Sequence, residues 1–241
     1  MRKKSGTKKK NILIVTCEHG GNQVPQEYQN LFRGHEISLH SHRGMDFGAL
    51  DLAQALKKRY RVPAITSQYT RLLVELNRSI NHPDLFSEIV SYLPEDERQA
   101  ILKKYYYPYR KKVETTILKN VSSKHTVLHL SIHSFTPIWE GIMRSCDIGF
   151  LYDPQRDGER EFCKNWKENI RKIDPNLRLR YNYPYRGVSD GLTTYLRKKF
   201  SSQEYIGIEL EVNQHLLTSE RKKEVIQIIV DSLSEFSIYL F

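Results

Sequence analysis

The sequence predicts a single α/β domain whose central, mostly parallel or mixed sheet is flanked by helices on both faces. The first observation is length, because 241 residues are enough to bury one large core. The second is order, because short β-branched or aliphatic runs alternate with helical patterns along the chain. The third is continuity, because no repeat, low-complexity linker or Pro/Gly-rich boundary divides it. We assign residues 11–241 to this domain and expect residues 1–10 to form a disordered basic arm.

Four apolar runs and one further candidate predict the strands of the sheet. Each is short and rich in β-branched or aliphatic residues, as buried strands are. In chain order they are Ile12–Thr16, Ala64–Ser67, Thr126–Ile132, the candidate Asp147–Tyr152, and Tyr205–Val212.

Helical patterns occupy the segments between these strands. Met45–Tyr60 has an apolar face and ends in basic residues, which suit a helix C-terminus. Pro94–Leu118 predicts two helices broken near Pro108, and Glu159–Ile173 and Gly191–Phe200 predict one helix each. Ser219–Phe241 carries apolar residues at helical spacing, so we expect a C-terminal helix that packs on the sheet.

Composition narrows the class of protein. No run approaches the ~20 apolar residues of a membrane span, and no secretory apolar segment follows the basic N-terminus, so we expect a cytoplasmic protein without a membrane partner. The three cysteines (Cys17, Cys146 and Cys163) are widely spaced, which predicts free thiols in a reducing compartment.

The net charge of +10 raises the possibility of a nucleic-acid partner. However, Met1–Lys10 alone contains six Lys or Arg residues and no acid, which is over half of that excess. We therefore expect a small anionic substrate rather than nucleic acid.

Residues that can carry chemistry stand where the predicted strands end. In parallel sheets, ligands gather at the carboxyl ends of the strands. Two histidines and a carboxylate from different strand ends form a plausible three-ligand zinc set, and a nearby carboxylate that is not a ligand can take a proton from water. The strand-end candidates are Glu18, His19, His133, Glu209 and Glu211, and Asp46 opens the first long helix.

Simpler interpretations exist for the first of these strand ends. A lone histidine after a strand is commonly a hydrogen-bonded structural residue. Gly20 and Gly21 belong to neither of the common glycine-rich phosphate motifs. Cys17 is two residues from His19 and could act as a nucleophile, although packing as a small buried residue explains it better.

Two further segments could bind an anion. Arg71 and Arg78 flank the apolar stretch of RLLVELNRS, where a guanidinium could hold a carboxylate through two parallel hydrogen bonds. In Tyr181–Arg197, tyrosines and Arg186 could line a pocket for an acidic small molecule, while Ser189 or Asp190 could simply cap the following helix.

Six segments together resemble the N-formylglutamate amidohydrolase family. In order they are TCEHGGNQVP, HRGMDFGA, RLLVELNRS, HLSIHSFTP, YNYPYRGVSDGLTTYLR and GIELEVNQ, and they extend from about residue 12 to residue 214. The family is distantly similar to zinc carboxypeptidases and to the aspartoacylase and succinylglutamate desuccinylase group. This resemblance implies a three-layer α/β/α fold, one catalytic zinc ion and hydrolysis of an amide beside a carboxylate-bearing amino acid.

The resemblance also implies roles for individual residues. His19 and His133 match the two zinc histidines, and the strand residue Glu211 matches the general base. The pair Asn77–Arg78 matches the Asn–Arg pair that binds the α-carboxylate of the substrate in the family.

One position departs from the carboxypeptidase pattern, in which a glutamate ligand follows the first histidine by three residues. Here that position is Asn22. Asp46 is the first choice for the third zinc ligand and Glu18 is the second.

The expected function is zinc-dependent hydrolysis of a small N-acylated acidic amino acid, with N-formyl-L-glutamate as the leading substrate and Arg186 as a candidate for its second carboxylate. The alternatives are hydrolysis of another N-acyl amino acid or peptide-like amide, and a non-catalytic basic binding protein with a relic site.

Overall fold

The computed structural model describes residues 11–121 and 125–236 and the backbone of residues 238–239. The predicted basic arm, residues 1–10, lies outside this range. Strand β1 (Asn11–Cys17) belongs to the main sheet. Six strands have the spatial order β2-β1-β3-β8-β6-β7. The other five are β2 (Ala64–Thr66), β3 (Thr126–Phe135), β6 (Ile148–Leu151), β7 (Leu179–Tyr181) and β8 (Tyr205–Asn213).

The sheet is mostly parallel. Strand β1 pairs in parallel with β2 and β3, β3 pairs in parallel with β8, and β6 does so with β7, whereas β6 and β8 are antiparallel. A short strand β9 (Ile238–Tyr239) also pairs in parallel with the start of β1. Outside this sheet, β4 (Ile138–Trp139) and β5 (Ile142–Met143) form a small hairpin. The predicted α/β fold class is confirmed.

Helices connect the strands and cover both faces of the sheet. The longer ones are α2 (Ala49–Tyr60), α3 (Glu95–Ile101), α4 (Tyr107–Val121), α5 (Asp157–Ile173), α6 (Leu192–Lys199) and α8 (Lys222–Asp231). The shorter ones are α1 (Glu36–Leu39), α7 (Gln214–Thr218), 3-10 turns at Gln26–Phe32 and Pro83–Leu85, and a π-helical turn at Leu102–Tyr106. Within the described residues, no helix combines the length and apolar character needed to cross a membrane.

Strand alternation divides the buried apolar residues into two cores. Leu13 and Leu130 point to one face, where they join a cluster with residues of α2, α5 and α8. Ile14 and Val127 point to the opposite face, where they join a cluster with residues of α3, α4 and α6. The period of two along each strand therefore places one core on each side of the sheet. Cys17 is fully buried in the first core, as packing predicts.

Three predicted helix boundaries are wrong. The helix expected from Met45 begins at Ala49, because Gly48 takes a left-handed φ of 75° just before it. The pair expected to break near Pro108 is continuous through that residue, and the irregularity is the π-helical turn that precedes it.

The third wrong boundary is the C-terminal helix expected to reach Phe241, since α8 ends at Asp231 and strand β9 follows. The hydroxyls of Ser232 and Ser234 donate to backbone carbonyls three residues earlier, which favours a turn there. The aromatic and β-branched residues that follow favour a strand.

Candidate active site

One face of the sheet becomes polar toward the carboxyl ends of β3 and β8. All ten residues of β3 are buried, and alternation turns His129, Ser131 and His133 to the face opposite Leu130. Glu209 and Glu211 of β8 pair in register with Ser131 and His133 and lie on the same face. The two strands thus bring a buried histidine and a buried carboxylate side by side.

The end of β1 delivers His19 to the same place. His19 is 2 % exposed, and its carbonyl accepts a hydrogen bond of 3.0 Å from the backbone N–H of Asp46. Asp46 therefore lies in the loop before α2, not in the helix as predicted, and its position is fixed by the loop that carries His19.

His19, Asp46 and His133 form a buried cluster that could hold a metal ion, with one potential ligand atom from each residue within 4.8 Å of the others. The Nδ1 atoms of His19 and His133 lie 3.2 and 3.0 Å from the same atom, Oδ2 of Asp46. Ligands about 2.1 Å from a tetrahedral zinc ion are about 3.4 Å from one another. The spacing of these donor atoms fits such an ion.

The other nitrogen of each imidazole faces a carboxylate. Nε2 of His19 contacts Oε1 of Glu75, and Nε2 of His133 lies 3.2 Å from Oε2 of Glu18. Ser131 bridges the second pair, because its hydroxyl donates to Glu18 at 2.6 Å and lies 2.8 Å from Nε2 of His133. Having donated its one proton, this hydroxyl accepts from Nε2–H, which in the neutral imidazole leaves the Nδ1 lone pair of His133 directed at Asp46.

A carboxylate behind each histidine is the usual outer shell of a metal site. It fixes the tautomer that turns the free lone pair to the metal. With both imidazoles neutral, three carboxylates (Glu18, Asp46 and Glu75) surround the cluster and one guanidinium, Arg71, contacts two of them. Two negative charges are left over, which a divalent cation would balance.

Burial and the neighbouring charges act in opposite directions on the pKa values of the residues in the cluster. Burial opposes ionisation of Asp46 and Glu75, yet the neighbouring imidazoles and Arg71 hold the pKa of both carboxyls well below the usual range. Burial likewise lowers the pKa of His19 and His133, but the carboxylates outweigh it and raise both. The cluster therefore attracts positive charge strongly, whether a proton or a metal ion.

The two other candidates for the third ligand lie elsewhere. Glu18 is buried on the Nε2 side of His133, where it also accepts a hydrogen bond of 2.8 Å from the Tyr109 hydroxyl. The side-chain amide of Asn22 donates to the Leu39 carbonyl at 3.0 Å. Of the three candidates, only Asp46 contacts the Nδ1 atoms.

Glu211 is buried beside His133 on the neighbouring strand, and strands lie about 4.8 Å apart. Its Oε2 atom is enclosed and has no hydrogen-bond partner among the described residues. Burial, aided by Asp46 and Glu209, raises the pKa of Glu211 to about 7. A buried carboxyl with no partner and a pKa near neutrality is suited to proton transfer.

Asn77 and Arg78 connect the cluster to helix α6. The side-chain oxygen of Asn77 accepts a bond of 2.7 Å from the N–H of Leu192, the first residue of α6, and its Nδ2 lies 3.5 Å from Nε2 of His133. Arg78 donates to the Asp190 carbonyl at 2.6 Å. The expectation that Ser189 or Asp190 caps α6 is wrong, because Gly191 occupies the N-cap position.

A cavity of about 500 Å³ opens beside the cluster. Asp46 and Arg71 line one part of it, and the rings of Phe135, Trp139 and Tyr185 line another. The exposed residue Arg186 is not among the residues that line this cavity, although its neighbour Tyr185 is.

Sequence reasoning missed Glu75, Ser131 and Tyr109. Their contacts with His19 or Glu18 join residues between 56 and 113 positions apart in the chain. One signal was available, because Glu75 is the single acid within the apolar stretch of RLLVELNRS and its burial requires a partner.

Comparison with known proteins gives a family and a fold. The family model described as N-formylglutamate amidohydrolase matches residues 12–218. Among curated proteins, no significant match was found.

Two solved structures are similar over nearly the whole chain. Gene product Atu2144 from Agrobacterium tumefaciens is 26% identical with a TM-score of 0.75, over 94% of this chain and 91% of that one. An N-formylglutamate amidohydrolase from Ralstonia eutropha JMP134 is 15% identical with a TM-score of 0.66, over 91% of this chain and 90% of that one. The second likeness is one of fold alone.

Proposed function

The chain belongs to the N-formylglutamate amidohydrolase family, and we propose that it is a zinc-dependent hydrolase of a small N-acylated acidic amino acid. N-formyl-L-glutamate is the leading substrate, with L-glutamate and formate as products. The observation that carries this proposal is the buried His19–Asp46–His133 cluster with the unpartnered Oε2 atom of Glu211 beside it.

We assign one zinc ion to His19, Asp46 and His133. The assignment is supported by the two Nδ1 atoms that face one carboxylate oxygen, and by the carboxylates behind both Nε2 atoms. When bound, the ion supplies Lewis acidity, which lowers the pKa of water and polarises an amide carbonyl.

Glu211 is the proposed general base. Its carboxylate takes a proton from the water that attacks the formyl carbon, and then gives this proton to the amine nitrogen as the C–N bond breaks. The pKa of about 7, raised by burial, suits both directions of transfer near neutral pH. Because Oε2 has no partner among the described residues, no hydrogen bond has to break before the proton moves.

Asn77 and Arg78 are proposed to hold the α-carboxylate of the substrate. In support, Arg78 has no carboxylate within 4.0 Å among the described residues, and its contact with the Asp190 carbonyl uses one of five N–H donors. The role predicted for Arg186, which is to bind the second carboxylate, stays a prediction.

The test is release of a free amine by the purified protein, with N-formyl-L-glutamate, N-acetyl-L-glutamate and a formyl dipeptide as parallel substrates. We expect N-formyl-L-glutamate to be hydrolysed with the highest kcat/KM. Preference for the acetyl compound or the peptide would support the alternative of another N-acyl or peptide-like amide. Absence of hydrolysis with every substrate by the zinc-loaded protein would contradict the proposal.

A further inference from the structure

The hairpin β4–β5 returns the chain to the rim of the cavity described above. Its turn residues, Glu140 and Gly141, have φ angles of 49° and 77°. A two-residue type I′ hairpin turn requires a positive φ at both of these positions. Arg144 follows the hairpin, and its backbone N–H donates to the Pro137 carbonyl at 2.8 Å. The hairpin thus places Arg144 next to Phe135, the last residue of β3, which lies two positions beyond His133 in the strand.

Arg144 is a buried cation among aromatic rings. Its residue exposure is 8%, and its guanidinium carbon lies 5.6, 5.3 and 5.2 Å from the ring centroids of Phe135, Trp139 and Tyr185. All three rings line the cavity. The guanidinium therefore lies beside three of the rings that line the cavity containing Asp46, although Arg144 itself is not among the lining residues.

The hydrogen bonds of Arg144 are weak and go to neutral atoms. Its Nη1 donates to the Thr136 carbonyl at 3.4 Å and to the Tyr185 hydroxyl at 3.3 Å. Among the described residues, no carboxylate lies within 4.0 Å of it. A buried guanidinium with several donors unused gains most from an anion that accepts two of them at once.

Burial beside rings is not sufficient evidence on its own, as Arg110 shows. Arg110 is 6% exposed, lies 5.4 and 4.5 Å from the rings of Tyr106 and Tyr195, and also has no described carboxylate within 4.0 Å. However, Arg110 donates to the Leu76 carbonyl inside the core, and neither of its neighbouring rings lines the cavity. Arg144 differs because all three of its neighbouring rings line the cavity.

We propose that Arg144 binds the side-chain carboxylate of the substrate and so makes the site selective for an acidic amino acid. This inference rests on the proposed function, and it assigns to Arg144 the anion that the sequence suggested for Arg186. A neutral side chain of the same shape would leave the guanidinium buried without a counter-ion, and sites with unmatched polar groups reject such analogues strongly.

The test compares the affinities of L-glutamate and L-glutamine for the zinc-loaded protein by titration calorimetry. We expect the parent protein to bind L-glutamate at least about tenfold more tightly. In Arg144→Met the two affinities should become equal within about threefold, because only the carboxylate loses its partner. Arg110→Met is the matched control, since it removes an equally buried, ring-stacked guanidinium and should keep the preference.

Turnover gives the second readout. In Arg144→Met, kcat/KM for N-formyl-L-glutamate should fall about 100-fold, mainly through KM, with little change for N-formyl-L-glutamine. If Arg144→Met fails to fold, Arg144→Lys is measured instead. Lysine keeps the positive charge but cannot form the bidentate hydrogen bonds of a guanidinium, so this variant should show a reduced preference for L-glutamate.

Three results would overturn the inference: no preference in the parent protein, an unchanged preference in the folded Arg144 variant, or loss of the preference in Arg186→Gln instead. Failure of the proposed function looks different. In that case the parent protein would prefer L-glutamate and lose this preference in Arg144→Met, yet hydrolyse no acyl amino acid.

Discussion

Nδ1 of His133 lies 3.0 Å from Oδ2 of Asp46, although the two residues are 87 positions apart in the chain. With Nε2–H of His133 donating to Ser131, a lone pair and a carboxylate oxygen face each other in a buried space. Such a contact is repulsive unless Nδ1 carries a proton or a metal cation lies between the two atoms.

Asp46→Asn should weaken zinc binding by at least about 100-fold, because an amide oxygen would replace the charged oxygen of a proposed ligand. Glu18→Gln should retain one zinc ion per chain, since Glu18 lies on the Nε2 side of His133. Competition with a chromogenic chelator measures both affinities. Asp147→Asn is the control, because Asp147 is also buried but pairs with Arg178. Full zinc affinity in Asp46→Asn, with loss of affinity in Glu18→Gln, would show that Glu18 rather than Asp46 is the third zinc ligand.

Glu75→Gln should reduce zinc affinity by about 10- to 100-fold without changing the stoichiometry, because outer-shell carboxylates orient the histidine ligands. The matched variant is Glu159→Gln, which removes a buried carboxylate that pairs with Arg197 outside the cluster. We expect Glu159→Gln to lower the free energy of unfolding and to leave zinc affinity unchanged. Equal zinc affinities in both variants would show that Glu75 does not support the site.

Glu211→Gln should lower kcat for N-formyl-L-glutamate by about 10²- to 10⁴-fold, since general acid–base catalysis contributes rate enhancements of that size. KM and zinc content should change little, because the enclosed Oε2 of Glu211 has no hydrogen bond to the proposed ligands or to the proposed α-carboxylate anchor. Steady-state kinetics on protein of known zinc content provides the measurement. Parent-level kcat in this variant would exclude Glu211 as the base.

Glu211 should also make the stability of the metal-free protein depend on pH. Burial raises its pKa from 4.5 to about 7, so between these values the folded state binds more protons than the unfolded state. This contribution is present below pH 4.5 and is lost as pH rises toward 7, at a cost of up to about 3 kcal/mol. Urea unfolding of the parent protein and of Glu211→Gln at pH 5 and pH 8 measures it. The variant should lose less free energy of unfolding over this range, and equal losses would contradict the assignment.

The central part of the fold could be predicted because its signals are local. Buried runs such as Thr126–Ile132 and Tyr205–Val212 are continuous in sequence, and a period of two assigns His133 and Glu211 to one face of the sheet. The parallel order then brings the strand ends together. The same reasoning failed at the C-terminus, where the helical spacing that reaches Phe236 continues past the end of α8 at Asp231.

The surroundings of the cluster could not be predicted in the same way. Glu75 and Arg144 lie in loop segments, and their positions depend on how the chain packs rather than on any period in the sequence. Asp46 was proposed from the resemblance, but its contact with both histidines depends on the loop contact between Asp46 and His19. Arg186 was the more visible arginine because it stands among tyrosines in sequence, whereas the hairpin places Arg144 near the same rings through space.

Zinc titration of the metal-free protein, with the rate of N-formyl-L-glutamate hydrolysis recorded at each step, tests the central claim most directly. We expect no hydrolysis without zinc, a linear increase as zinc is added, and saturation at one ion per chain. Full hydrolysis by the metal-free protein, or none at saturating zinc, would contradict a zinc-dependent amidohydrolase built on His19, Asp46 and His133.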